Sequence, residues 1–302
     1  MKDFGVLVPI VTPCSRAGEL DIDGLKSACR YMMENGCHAI FVAGSTGRGP
    51  WFSRSDRAKI CRTIADQIGP KVPLFAGCMA SGIPEMLENT RAMADAGANF
   101  AVLAAPGYFS YSQQEVESIF LKFIDASPLP VMIYDIPAFT GMKLDMNMVE
   151  RLATHENVIG FKDSSADMER FNKLLAILSD MADFYLLQGK EHLLADSISA
   201  GASGLVVSLI HVNPRPFVGV YTACRAGNIE LARKLQAGIT QVYTILNRCF
   251  ERRPETSTLF HFLNCALKKR GVCDNILLEH EGECFEWMME ESDKALKCLE
   301  TQ

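Results

Sequence analysis

Lys162 ends the apolar segment Val158-Ile159-Gly160-Phe161-Lys162-Asp163, and an ammonium in that place is either solvated or chemically employed. The run lies between the polar stretches His155-Glu156-Asn157 and Asp163-Ser164-Ser165, which is how a buried parallel strand reads. Desolvation there disfavours the charged form and lowers the amine below its ordinary pKa of about 10.4. A neutral amine attacks a ketone and forms a Schiff base. The alternative is a lysine that extends its head into water. Two more stretches carry suitable groups. Gly44-Ser45-Thr46-Gly47-Arg48-Gly49 offers backbone N–H groups and two hydroxyls to a small carboxylate, or is a tight turn; it is not a P-loop, since no Gly-Lys-Ser/Thr follows. Tyr134, after Val131-Met132-Ile133, is either a proton relay or a core aromatic with a hydrogen-bonded tip.

For these groups to meet, the chain must gather strand ends at one place. Short β-rich runs at 5–11, 38–43, 72–77, 100–104, 131–134, 158–162, 184–188 and 204–208 alternate with helix-length segments. Asp21 can cap a helix with apolar positions Ile22, Leu25, Cys29 and Met32, stopped at Gly36. Pro84 suits the first turn of another helix, ending near Gly97. Eight such units within about 210 residues predict a (β/α)8 TIM barrel of the α/β class; an open doubly wound sheet would carry a G-x-G-x-x-G fingerprint. Beyond Pro214 only helical patterns occur. Residues 1–226 are expected to form the barrel, with 227–302 as a C-terminal helical extension. Active sites of such barrels lie at the carboxyl ends of the strands, where Gly44–Gly47, Pro106-Gly107-Tyr108, Tyr134 and Lys162 all fall.

Composition narrows the partners. The 302 residues are 48% hydrophobic and 22% charged, and the net charge of −6 is spread without long single-sign runs, which argues against nucleic acid or an anionic membrane. No apolar segment approaches the roughly 20 residues of a membrane helix. Met1-Lys2-Asp3 leads into an apolar run without the stages of a signal peptide, so a cytoplasmic location is expected. The eleven cysteines form no C-x-x-C pair and no zinc-finger cluster, and most are expected to serve as small apolar residues.

Four motifs now carry a resemblance: Val11-Thr12-Pro13, Gly44-Ser45-Thr46-Gly47, Tyr134-Asp135-Ile136-Pro137-Ala138-Phe139-Thr140-Gly141 and Ile159-Gly160-Phe161-Lys162-Asp163. In order and spacing the chain resembles the dihydrodipicolinate synthase/N-acetylneuraminate lyase family of class I pyruvate-dependent aldolases, from Val6 to about Pro214. The resemblance implies that Lys162 forms the Schiff base and that Tyr134 shuttles protons. It implies that Gly44, Ser45 and Thr46 hold the pyruvate carboxylate, with Val206 and Glu191 also at the substrate. Thr46 and Tyr108 would complete a proton relay, Tyr108 coming from the neighbouring subunit of a homotetramer built as a dimer of dimers. It implies no metal or organic cofactor, because the protonated imine is itself the electron sink.

Departures from the pattern shape the expected substrate. Phe139 stands where synthases carry an arginine for the carboxylate of aspartate semialdehyde, and a phenyl ring offers no charge-assisted hydrogen bond. Glu191-His192 keeps one acid where sialic acid lyases have two. Arg48 replaces a common glutamate, as a solvated loop residue or as a contact for an acidic substrate. Tyr111 replaces a phosphate-binding arginine, which favours an unphosphorylated substrate. The expected activity is reversible cleavage of a 4-hydroxy-2-oxo acid, such as a 2-keto-3-deoxy sugar acid, into pyruvate and an aldehyde. The rivals are a dihydrodipicolinate synthase, an N-acetylneuraminate lyase, a dehydratase or decarboxylase built on the same imine, and a non-catalytic 2-oxo-acid binding protein. A pyridoxal-phosphate enzyme would need a phosphate cradle that Gly204-Leu205-Val206-Val207 does not provide.

Overall fold

The computed structural model describes residues 3–181 and 183–300. Eight parallel strands pair in chain order and the eighth closes on the first, so the expected barrel is the observed one. The strands are β1 (Gly5–Pro9), β2 (Ala39–Val42), β3 (Leu74–Gly77), β4 (Phe100–Ala104), β5 (Val131–Asp135), β6 (Val158–Asp163), β7 (Tyr185–Gln188) and β8 (Gly204–Leu205). The last is shorter than the apolar run predicts. After Val206 donates to the Gln188 carbonyl, the chain turns into a 3-10 helix at Ser208–His211 whose first N–H groups are taken by the Glu191 carboxylate.

Helices follow each strand: α1 (Ile22–Glu34), α2 (Arg54–Ile68), α3 (Ile83–Asp95), α4 (Gln113–Ala126), α5 (Pro137–Thr140), α6 (Met146–Ala153), α7 (Met168–Leu178), α8 (Leu194–Ser199) and α9 (Pro214–Arg225). The side chain of Asp21 accepts from Gly24 N–H at 2.9 Å and caps α1 as expected. Three tail helices follow, α10 (Ile229–Arg252), α11 (Ser257–Lys269) and α12 (Glu286–Glu300). α10 packs on α9 and α12, and α11 lies against the Ser208–His211 turn, bringing the tail to the barrel mouth.

Strand alternation divides the interior in two. Inward residues such as Leu7, Phe41, Phe75, Val102, Met132 and Leu187 fill the barrel. Outward residues such as Ile40, Leu103, Ile133, Phe161 and Leu186 pack beneath the helices. The alternation turns Tyr134 inward among the barrel residues and leaves its chain neighbour Asp135 facing the helices, where α7 supplies an ion partner. β5 and β6 pair with Tyr134 opposite Lys162 and Asp135 opposite Asp163.

Candidate active site

Lys162 and Tyr134 are neighbours because they share a register position on adjacent strands. The ammonium nitrogen lies 3.8 Å from the centroid of the Tyr134 ring and 5.4 Å from that of Phe41. Lys162 is 4% exposed. Burial pushes its pKa down to about 7; the Glu191 carboxylate pulls it up and the Lys190 ammonium pushes it further down. Near neutral pH a large fraction of the side chain is therefore the free amine, the nucleophilic form. Burial drives the Tyr134 phenol the other way, up to about 12, while hydrogen bonds with the Ser164 and Ser45 hydroxyls oppose the rise. The phenol thus stays protonated, a donor held between two hydroxyls and beside an amine.

The loop after β2 is held in an unusual backbone conformation. Ala43 and Arg48, neither of them glycine, adopt φ of 53° and 52° and bracket Gly44–Gly47. A Cβ on Gly49 would lie 1.9 Å from the Ala43 carbonyl oxygen, so only glycine fits where the loop folds back on itself. Thr12 Oγ1 donates to the Gly47 carbonyl at 2.7 Å, which ties the Val11-Thr12-Pro13 segment to the loop. Ser45 and Thr46 then line a cavity of about 140 Å³ together with Lys162, Tyr134, Ser164 and Val206.

Phe139 and Glu191 line the same cavity. Gly44 lies behind Ser45, where any Cβ would meet the Phe41 ring at 2.7 Å. Glu191 is already engaged, its Oε1 accepting from Ser208 N–H (3.1 Å), Ser208 Oγ (2.9 Å) and Leu209 N–H (3.3 Å). Arg48 is neither a solvated loop residue nor a wall of this cavity. It is buried, with Nη1 2.6 Å from Glu281 Oε2 and its guanidinium 4.1 Å from the Phe260 ring centroid. It lines an adjoining cavity of about 280 Å³ whose large side chains are Trp51, Met79, Phe139 and Phe260. Tyr108 is 78% exposed and stands outside the Lys162 cavity of its own chain, in a surface groove with Phe109 and Phe139.

Several residues at the site were not anticipated. Ser164 and Lys190 follow the ends of β6 and β7, so the strand-end rule applied to every strand would have found them. Leu259 and Phe260 reach the cavity from α11, and nothing in their local sequence announces it. Behind the site, Arg170 of α7 joins both outward acids: its Nη2 is 2.9 Å from Asp135 Oδ2 and its Nη1 3.1 Å from Asp163 Oδ2. Burial raises Asp135 to about 7 against the pull of Arg170. This ion triad pins β5 and β6 one residue beyond Tyr134 and Lys162. Among the described residues, no group of three or more His, Cys, Asp or Glu side chains is placed to hold a metal ion. Among them, too, no helix is long and apolar enough to cross a membrane.

The sequence profile of the Dihydrodipicolinate synthetase family matches residues 2–278. A 4-hydroxy-tetrahydrodipicolinate synthase of Coxiella burnetii is 30% identical over 242 residues, covering 80% of this chain and 82% of that protein. The enzyme of the same name from Methanospirillum hungatei is 29% identical over 233 residues, 76% of this chain and 79% of its own. The structure of dihydrodipicolinate synthase from Bacteroides thetaiotaomicron superposes over 100% of both chains with a TM-score of 0.88 and 28% identity.

Proposed function

The chain belongs to the dihydrodipicolinate synthetase family, whose members are carbon–carbon lyases, and we propose that it cleaves or forms a 4-hydroxy-2-oxo acid through a pyruvate Schiff base on Lys162. The observation that carries this reading is one cavity in which a buried amine with a pKa near 7 faces a protonated phenol and two hydroxyl-bearing loop residues.

The chemistry follows from the groups present. The 2-oxo acid seats its carboxylate on Ser45 and Thr46, which sets its ketone before Lys162. The free amine adds to C2, and Tyr134 gives a proton to the departing hydroxyl as the imine forms. In the protonated imine the C3–C4 bond electrons have a sink at nitrogen. Tyr134, as phenolate after its proton transfer, takes the proton of the 4-hydroxyl; the C3–C4 bond breaks, the aldehyde leaves and an enamine remains. Protonation of the enamine at C3 and hydrolysis of the imine release pyruvate and restore Lys162. Condensation is the same path reversed.

The names of the relatives favour a synthase acting on aspartate semialdehyde, while the residues favour a neutral aldehyde. Phe139 supplies no cation, and the charge of Arg48 is engaged by Glu281. Lys190 is the other cation at the cavity, and unless it turns to the semialdehyde carboxylate, burying that carboxylate without a partner is costly. Trp51, Met79, Phe139 and Phe260 around the adjoining cavity suit an apolar aldehyde body better than the polyhydroxylated chain of a sugar acid. The active unit in this reading is a homotetramer, with the exposed Tyr108 and Phe109 meeting a second copy.

Borohydride reduction in the presence of pyruvate should add the reduced pyruvyl mass at Lys162 alone. Absence of the adduct, or an equal adduct in Lys162→Ala, would overturn the mechanism. Acceptor choice is tested separately by kcat/KM for condensation with aspartate semialdehyde, glyceraldehyde and benzaldehyde. A tenfold preference for aspartate semialdehyde, about 1.4 kcal/mol of transition-state binding, would refute the neutral-acceptor reading.

A further inference from the structure

Away from the catalytic cavity, the tail and the Ser15-Arg16 turn border a larger, open one of about 750 Å³ that both Cys265 and Cys284 line. Cys265 lies on α11, and Cys284 lies in the irregular stretch between a 3-10 helix at Glu279–Glu281 and α12. Their sulfurs are 3.1 Å apart, with the Cys265 thiol donating to Cys284 Sγ. Asn264 Nδ2 donates to the same sulfur at 3.6 Å. These donors, the Cys265 thiol foremost, hold Cys284 below the usual thiol range, and the shared hydrogen bond pushes Cys265 above it. The contrast within the chain is sharp: burial, the largest cause in each case, raises Cys29, Cys37, Cys61 and Cys273, as it does for inert core thiols.

We propose that Cys284 and Cys265 are a reversible dithiol–disulfide couple, with Cys284 as the attacking thiolate, Cys265 as the resolving thiol and a small-molecule disulfide as oxidant. The Cys284 thiolate attacks one sulfur of the oxidant RSSR and expels RS⁻, leaving a mixed disulfide on Cys284. Cys265 then loses its proton to water in the cavity and attacks Cys284 Sγ, expelling the second RS⁻. Two protein thiols are oxidised as one RSSR is reduced to two thiols. The sulfurs close from 3.1 Å to the bond length of about 2.05 Å, a movement that the helix-free stretch at Cys284 can take up.

The couple is connected to the barrel mouth. Three residues before Cys284, Glu281 binds Arg48 of the active-site loop, and its carbonyl accepts from His261 Nε2 at 3.0 Å. Beside Glu281, His280 stacks on Trp51 with ring centroids 4.6 Å apart. Closing the disulfide therefore pulls on the segment that supports both Arg48 and Trp51.

The test uses the full-length protein with glutathione disulfide. Oxidation should lower the thiols titrated after denaturation from eleven to nine, cut the mass by about two hydrogens, as removal of two thiol protons requires, and give a cross-linked peptide containing Cys265 and Cys284. Cys265→Ser should stop at a glutathione adduct on Cys284, and Cys284→Ser should react far more slowly. Eleven remaining thiols, a bridge between other cysteines, or equal reactivity of the two variants would overturn the couple. The link to the mouth is read in Trp287→Phe, where Trp51 is the only tryptophan left. Its emission should change on oxidation and recover with dithiothreitol, and unchanged emission in protein carrying the bridge would overturn that link.

Discussion

Replacing Lys162 should make the protein more stable, by an amount that depends on pH. Lys162 is buried against aromatic rings, and its pKa falls from about 10.4 in an unfolded chain to about 7 in the folded one. Below about pH 7 both states carry the proton, and the cost of burying the charge is complete. Between about 7 and 10.4 the unfolded chain holds a proton that the folded chain has released, so wild-type stability rises with pH across that window. At about 1.36 kcal/mol per pH unit, the cost is about 4 kcal/mol at pH 7 and about 2 kcal/mol at pH 9. Lys162→Met keeps the length of the side chain and removes the charge, so it should recover those amounts. With an unfolding entropy of about 2.1 cal/mol/K per residue over 302 residues, the gain in Tm is about 6 °C at pH 7 and about 3 °C at pH 9. Thermal unfolding of both proteins at one concentration, from pH 6 to 9, is the assay. A gain below about 1 kcal/mol at pH 7, or one that stays flat or grows toward pH 9, would refute the desolvated amine.

Tyr134→Phe keeps the ring and its packing but removes the hydroxyl proposed to carry the proton, so kcat should fall by about 10²–10⁴-fold with an unchanged circular dichroism spectrum. A variant within about threefold of wild type would make Tyr134 a core aromatic, since it falls short of that range. Arg170→Met leaves Asp135 and Asp163 buried without their shared cation and should cost about 3–5 kcal/mol in urea unfolding; a loss under about 1 kcal/mol would show that the triad carries little. If Tyr108 serves the partner's site, mixing inactive Tyr108→Phe with inactive Lys162→Ala should restore activity after subunit exchange. A fully active monomer by light scattering would contradict that arrangement.

The strands were legible because parallel strands in a barrel are buried on both faces and read as apolar runs between polar breaks. The error at β8 has a local cause: Ser208 and Leu209 find a better acceptor in the Glu191 carboxylate than a further strand ladder would give them. Lys162, Tyr134 and Ser45 were legible because strand ends in such barrels point at one mouth. Arg48 was not, since its partner Glu281 lies 233 residues further along and only the return of the tail to the mouth unites them. Phe260 and the Cys265–Cys284 pair were hidden for the same reason. Their chemistry depends on a packing of α11 against the barrel that no local pattern encodes.

Register is the quantity on which the proposed chemistry most depends. In a strand of period two, a slip of β6 by one residue would turn Asp163 into the barrel and Lys162 out under α7, placing a carboxylate where the amine must be. The apolar residues of β6 do little to prevent this, because both its faces are buried and either would accept them. Charge discriminates better. Arg170 can reach Asp135 and Asp163 together only when the two acids are register partners, and that pairing is the one that sets Tyr134 opposite Lys162. In that slipped register Ser164 takes the place of Asp163, so the guanidinium loses its second carboxylate and is left in a low-dielectric setting with one acid in place of two. The ion triad beneath the helices thus holds the amine and the phenol in position from the opposite side of the sheet.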